Sequence, residues 1–291
     1  MRSTDSVRVC GRLFGEEELT VIRGLIATRP PLNRTRIAER TCEALQWRRP
    51  DGRLKDMSCR VALLRLERMG LIKLPPPSNG NGNGRAYQLN NILTRPPADI
   101  ECELRELGDL EFRQVSTRQD SRLWNEVIEE HHYLGYKPLP GAQIRYLLES
   151  DRGLIAALGF GASAWKVGPR DRWIGWTVAQ REARLRFVVN NARFLILPWV
   201  RCRNLASWIL ARCSRRLPLD WDREYGYAPA LLETFVDADR FAGTCYRASN
   251  WQYLGKTQGR GKLDRHREFA LPVKRVFVYP LAADFREVLC R

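Results

Sequence analysis

Residues 193–210 read RFLILPWVRCRNLASWIL. The apolar run is short and is closed by Pro198, so it reads as a buried strand over Ala192 to Leu197. A polar turn follows, and the spacing of the next apolar residues predicts a helix over Asn204 to Arg216. Upstream, the same rules give a strand Glu111 to Ser116, a helix Asp120 to His131, and strands Gln143 to Glu149 and Leu154 to Trp165 joined through the turn Ser150-Asp151-Arg152-Gly153. The connection RDRWIGWTVAQREARLRF is polar and carries tryptophans. Downstream come a strand Leu231 to Asp237, a helix Thr244 to Leu254 and a strand Arg275 to Tyr279. Antiparallel strands first and a strand-helix-strand-helix-strand run second make residues 99–291 a mixed α/β (α+β) domain.

Residues 1–98 form a second block. Three helices are expected, Glu16 to Thr28, Asn33 to Trp47 with Asn33 as N-cap, and Leu54 to Met69 closed by Gly70. The third helix is read with Leu54, Met57, Val61 and Leu64 on its buried stripe and Lys55, Arg60 and Arg68 outside. Residues 74–97, LPPPSNGNGNGRAYQLNNILTRPP, are too rich in Pro, Gly and Asn to continue a helix, and they are framed by the strand-like pieces LIKL and RAYQL. Three helices and then a hairpin is the order of a winged helix-turn-helix, in which the third helix enters the major groove of DNA.

Composition supports a polyanionic partner. The 291 residues carry 49 Lys and Arg against 33 Asp and Glu, a net charge of +16, and only 7 of the 49 are Lys. Guanidinium groups bind phosphate bidentately and stack on bases, so an excess of this kind points to nucleic acid. Residues 1–98 hold 18 positive and 9 negative side chains, with Arg34, Arg36, Arg53, Lys55, Arg60 and Arg85 near the expected DNA-contact surface. The run GKTQGRGKLDRHR adds Lys256, Arg260, Lys262, Arg265 and Arg267, a phosphate clamp or a solvated loop. It lacks the spacer before Gly-Lys-Thr that a P-loop needs. No apolar stretch is long enough to span a bilayer, and the N-terminus lacks a signal-peptide pattern, so a cytoplasmic protein without a membrane partner is expected. Eight cysteines without a CxxC pair read as buried reduced thiols, and three histidines in the whole chain argue against a histidine-rich metal site.

The element order of the second block resembles that of GNAT-type acyltransferases. In that family the strand before the central helix ends in a Q/R-x-x-G-x-G/A loop whose amides grip the pyrophosphate of coenzyme A. The resemblance places Arg201, Arg203, Asn204, Ala206 and Ser207 at that loop, with Asn204 where the family has glycine. It implies acetyl-coenzyme A as cofactor, although Asn puts a side chain where amides approach phosphate. The segment YRASNWQYLGKT resembles the family stretch in which a tyrosine precedes a glycine by four residues. Trp251 stands there, so Tyr246 is the substitute proton donor, with Asn250 and Trp251 beside the ligand.

A closer resemblance covers nearly the whole chain. HHYLGYKPLPGAQIRYLL, RDRWIGW, NNARFLILPWVRCRNLAS, LLETFVD and FAGTCYRASNWQYLGKTQGRG resemble the DruA family of the Druantia anti-phage system. NRTRIAERTCEALQW, GRLKD and LERMGLIKLPPP resemble the region before this domain in those proteins and in certain transposases. The resemblance implies bacterial defence or mobile-element biology, DNA as partner and other defence-system proteins beside it. Three functions remain open: a DNA-binding defence component whose GNAT-like domain engages nucleic acid or a small cofactor, an acyltransferase acting on nucleic acid or protein, and a non-catalytic target-recognition protein of a transposition machine. Glu233, Asp237 and Asp239 read either as a divalent-metal cluster or as ion-pair partners of arginines. His132 reads as a general base near Tyr246 or as a helix cap. Trp173, Trp176, Trp199 and Trp251 read as base-stacking platforms or as core.

Overall fold

The computed structural model describes residues 6–49, 52–77, 98–259 and 271–291. Arg85, Arg260, Lys262, Arg265, Arg267 and residues 78–97 of the stretch expected to form a hairpin lie outside the described residues. The chain divides into two compact units, residues 1–85 and 86–291.

The first unit opens with a small hairpin that the sequence reading missed, β1 (Val7–Val9) and β2 (Arg12–Phe14), turned through Cys10 and Gly11 at positive φ. Three helices follow, α1 (Glu16–Ala27), α2 (Arg34–Ala44) and α3 (Asp56–Arg68). Asn33 caps α2 as expected, its side chain accepting the Arg36 amide at 2.9 Å. The buried stripe of α3 is not the expected one. Cys59, Ala62, Leu63 and Leu66 face the core, while Met57 is 57% and Val61 43% exposed. Both stripes satisfy helical spacing. The small side chains Cys59 and Ala62 let α3 approach Ala38 and Cys42 of α2, and close approach outweighs bulk. The link between α2 and α3 runs from Leu45 to Lys55 and holds a bridge between Arg48 and Leu54. That is longer than the turn of about 3–4 residues in a simple helix-turn-helix. At Leu71–Leu74, where a strand was expected, there is no ladder to a described residue.

The second unit is the mixed α+β domain. A two-stranded parallel pair joins β3 (Ile100–Cys102) to β8 (Val200–Cys202). The main sheet contains β4 (Glu111–Gln114), β5 (Ile144–Ser150), β6 (Gly153–Ala162), β7 (Val188–Ile196), β9 (Leu231–Asp237), β10 (Gln252–Lys256) and β11 (Lys274–Pro280). Its order is β10-β11-β9-β7-β6-β5-β4. All neighbours are antiparallel except β7 and β9. Helices α4 (Arg118–His131), α5 (Gly168–Ile174), α6 (Val178–Arg184), α7 (Leu205–Tyr225), α8 (Thr244–Ala248) and α9 (Phe285–Cys290) complete it. Several boundaries differ from expectation: β7 begins at Val188 and not Ala192, and β6 ends at Ala162 and not Trp165. Helix α7 continues through Pro218 to Gly226, whose φ of 74° ends it. The helix expected over Thr244 to Leu254 stops at Ala248, because Asn250 turns left-handed at φ 65° and the Trp251 amide returns to Tyr246 O at 2.9 Å. The chain then becomes strand β10.

One register detail creates the site. β7 and β9 pair only through Val188–Asn190 with Leu231–Glu233. Beyond that they diverge, and a bulge in β7 marks the place: Gly159 pairs with Arg193 and Phe160 with Asn191, so Ala192 is the extra residue.

Candidate functional site

The divergence of β7 and β9 opens a cleft of about 420 Å³. Asn191 to Ile196 without Arg193 line one wall, Thr234 to Val236 the other, the end of α4 with His131 to Leu134 one rim, and Phe241 to Tyr246 the opposite rim. Most of this lining is apolar. The polar groups are few and arranged. Tyr246 donates to Asn191 Oδ1 at 2.9 Å, and Thr234 Oγ donates to the Asn191 carbonyl at 3.0 Å. Asn191 Nδ2 donates to Arg193 O at 3.1 Å, which holds the bulge. Burial raises the Tyr246 hydroxyl pKa well above the ordinary range, so it is a neutral phenol.

His132 stands on the same cleft, in a protonation state set by its surroundings. Burial first and the Arg193 charge second lower its pKa to about 4. Its Nδ1 accepts the Leu134 amide at 3.2 Å, which leaves the neutral ring's proton on Nε2. The lone pair a general base needs is therefore already engaged. His132 follows α4 as its C-cap, as one of its two readings expected, although as a neutral ring it presents a donor and not a cation to the helix end. Its ring stacks on Tyr133 at 4.8 Å between centroids.

The expected acidic pair is not part of the cleft. Glu233 is fully buried and accepts from Arg170 Nη1 at 2.7 Å and from the Ala164 amide at 2.9 Å. Arg170 also holds Asp171 at 2.8 Å. This network pins the segment before α5 to the sheet. Asp237 accepts the Asp239 amide at 3.1 Å. Among the described residues no group of three His, Cys, Asp or Glu side chains could hold a metal ion, so the metal reading of Glu233, Asp237 and Asp239 falls.

The loop at the start of α7 is where the sequence placed it. Asn204 is the N-cap at φ 63°, the left-handed conformation for which glycine is the ordinary residue, and its side chain caps no amide. Arg201 and Arg203 are exposed, Ala206 and Ser207 half-buried, and the Ser207 hydroxyl donates to Asn204 O at 3.0 Å. Asn250 is an exposed turn residue, and Trp251 is 4% exposed against Tyr246 and Tyr279, so neither lines the cleft. Trp176 and Trp199 are likewise buried, and Trp173 stacks on Phe285 at 5.0 Å, so none of the four tryptophans is a free stacking platform. Of the cysteines, Cys42, Cys59 and Cys213 are buried and the other five half-buried, which corrects the expectation of uniformly buried thiols.

The expected DNA-contact residues divide. Arg34 is tied to Pro75 O at 2.6 Å and to Glu67 at 3.6 Å, and Arg60 to Asp56 at 3.3 Å. Arg36 is exposed but pairs with Glu39 at 2.8 Å. Arg53 is exposed, Lys55 sits half-buried at the start of α3, and Lys256 is exposed at the end of β10. The sequence reading missed Arg65. It lies with Met57, Val61 and Arg68 on one exposed face of α3, and neither Arg65 nor Arg68 has a carboxylate partner among the described residues. It also missed Asn191, Thr234, Tyr133 and Arg193. The available signal was the polar residues Asn190, Asn191 and Arg193 inside an otherwise apolar strand.

An antiparallel meander, one parallel pair that splays around a bulge, and a central helix begun by a left-handed residue define the mixed α+β second unit, and three helices the first. The description "Druantia protein DruA" belongs to the family that matches residues 66–271. The chain is a member of that DruA family. No curated protein matches it. Solved structures similar to it include an N-acetyltransferase from Staphylococcus aureus, at 11% identity over 60% of this chain and 99% of that one with a TM-score of 0.37. A polyamine N-acetyltransferase from Drosophila melanogaster is 13% identical over 59% and 100%, TM-score 0.38. A GNAT-family acetyltransferase from Streptococcus pneumoniae is 11% identical over 59% and 99%, TM-score 0.35.

Proposed function

We propose that the chain is a duplex-DNA-binding component of a bacterial anti-phage system, acting in the cytoplasm with other defence proteins, and that its GNAT-like cleft engages a nucleotide or small cofactor. The observation that carries the DNA reading is the outward face of α3. Met57, Val61, Arg65 and Arg68 follow one helical stripe and are exposed, and the two arginines are not answered by carboxylates among the described residues. Two guanidinium groups can read guanine edges or phosphates, and the two apolar side chains suit thymine methyls. No helix among the described residues is long and apolar enough to cross a membrane. Equilibrium binding to duplex DNA at several salt concentrations tests the reading. Neutralising about six phosphates makes log K fall with log salt at a slope near −5, and a flat dependence rejects the proposal.

The second reading is acyl transfer to nucleic acid or protein, favoured by the left-handed Asn204 at the head of α7 and by Tyr246 on the cleft. If coenzyme A binds, Arg201, Arg203 and the first amides of α7 would hold its phosphates, and it would supply the acyl group. Tyr246, kept as a neutral phenol by burial, would hold the proton that a leaving thiolate needs. Calorimetry with acetyl-coenzyme A should then show saturable binding that Arg201→Ala weakens. No heat at millimolar ligand removes this reading and leaves DNA recognition without transfer.

A further inference from the structure

Three arginines among the described residues are buried, Arg170, Arg181 and Arg193. Arg170 reaches Glu233 and Asp171 at 2.7 and 2.8 Å, and Arg181 reaches Asp171 at 3.8 Å. Among the described residues Arg193, 9% exposed, reaches only two carbonyls, Ala192 O at 2.8 Å and Gly135 O at 3.4 Å, while its Nε has no partner there. A buried guanidinium without a counter-charge is costly, and proteins pair such groups internally or through a ligand.

Arg193 is not itself a lining residue, but it stands in β7 between the lining residues Ala192 and Phe194 and its charge acts on the rim residues His132 and Tyr133, so the cleft next to it suits the second solution. Both carbonyls bound by Arg193 belong to segments that border the cleft, Ala192 in its wall and Gly135 just after the His131 to Leu134 rim. His132 and Tyr133, the two rim residues that feel the Arg193 charge, are a neutral imidazole with its proton on Nε2 and a phenol. Both can donate to an oxyanion. Arg240 lies over the Tyr133 ring at 5.3 Å and adds a second positive charge at this rim. Asp237 acts on Tyr133 but makes no ion pair with Arg193. The remainder of the cleft, with Phe194, Ile196, Val236 and Phe241, is apolar.

We infer that the cleft is a receptor for a small acid with an apolar body, a carboxylate or a phosphate monoester, whose charge answers Arg193 and whose oxygens accept from His132 and Tyr133. The inference rests on the cleft being a ligand site and is independent of duplex binding.

Calorimetry of the full chain with hexanoate, hexyl phosphate and hexanol tests it, because the three share one apolar tail and differ in the head. The expected result is saturable binding of at least one acid, about tenfold or more tighter than hexanol, lost to the hexanol level in Arg193→Gln. The two acids tell carboxylate from phosphate. Removing an unanswered charge should also leave the thermal midpoint unchanged or higher, which a purely structural arginine would not do. Equal binding of hexanol and the acids overturns the charge recognition while keeping the cleft as a ligand site. Binding of none of the three overturns both, as undiminished acid binding by Arg193→Gln overturns the role of Arg193. Should that variant not fold, proton resonances of His132 in the unaltered chain decide: a bound acid raises its pKa above about 4, and an unmoved titration overturns the inference.

Discussion

Glu233 shows how little a residue's role is contained in its own neighbourhood. In LLETFVD it looks like one of two carboxylates facing a metal, yet its partner is Arg170, 63 positions earlier in the chain. Both side chains are fully buried, and removing one partner strands the other in a medium that solvates charge poorly. Glu233→Gln or Arg170→Met should each cost about 3–5 kcal/mol in urea unfolding. The double replacement should recover a good part of that loss. His132 gives the residue-scale pH dependence. Its folded pKa is lowered to about 4 from an ordinary 6.5, so between these values the unfolded chain binds more protons. This contribution is constant above pH 6.5 and destabilises progressively as pH falls toward 4. Urea midpoints at pH 7 and pH 5 should differ less in His132→Gln than in the unaltered chain, and a proton resonance of His132 that titrates near 6.5 would contradict the assignment. Neither behaviour was legible in EEHHY, because burial by β7 and the Arg193 charge come from elsewhere.

At the scale of elements, periodicity and caps were readable and faces were not. Asn33 before α2 was legible because N-capping is local chemistry. The face of α3 was not, since Leu54, Met57, Val61 and Leu64 and the observed Cys59, Ala62, Leu63 and Leu66 both follow the helical period. Only the neighbouring helix decides between them, and it selects the stripe with small residues. Leu66→Ala, at 0% exposure, should therefore lower stability by about 2–5 kcal/mol. Val61→Ala should stay within about 0.5 kcal/mol, and denaturant midpoints of the two variants would reverse in order if the sequence-derived stripe were the buried one. The end of α8 was hidden for a similar reason. ASNWQ has no Gly or Pro to mark the stop, and Asn250 supplies the left-handed turn instead.

For the whole molecule, element order carried most of the fold, because alternation of short apolar runs with amphipathic stretches admits few layer arrangements. It could not show that β7 and β9 pair for three residues and then part, and the cleft is a consequence of that parting. The same limit applies to charge. A net +16 is the ground on which a polyanionic partner is proposed, but ion pairs consume part of the excess: Arg23, Arg34, Arg36, Arg40, Arg49 and Arg60 all reach carboxylates within the first unit. Arg65 and Arg68 reach none among the described residues. If duplex DNA lies against α3, these two displace counterions where the paired arginines contribute little, since a guanidinium already held by Asp or Glu must exchange one partner for another. Arg65→Ala with Arg68→Ala should reduce the magnitude of the log K against log salt slope by about 2, with the midpoint of unfolding unchanged. The control pair Arg36→Ala with Arg40→Ala should move the slope by less, because each loses a neighbouring carboxylate's attraction along with its own charge. Equal slopes for both double variants would place the DNA on another surface and remove α3 from the interface.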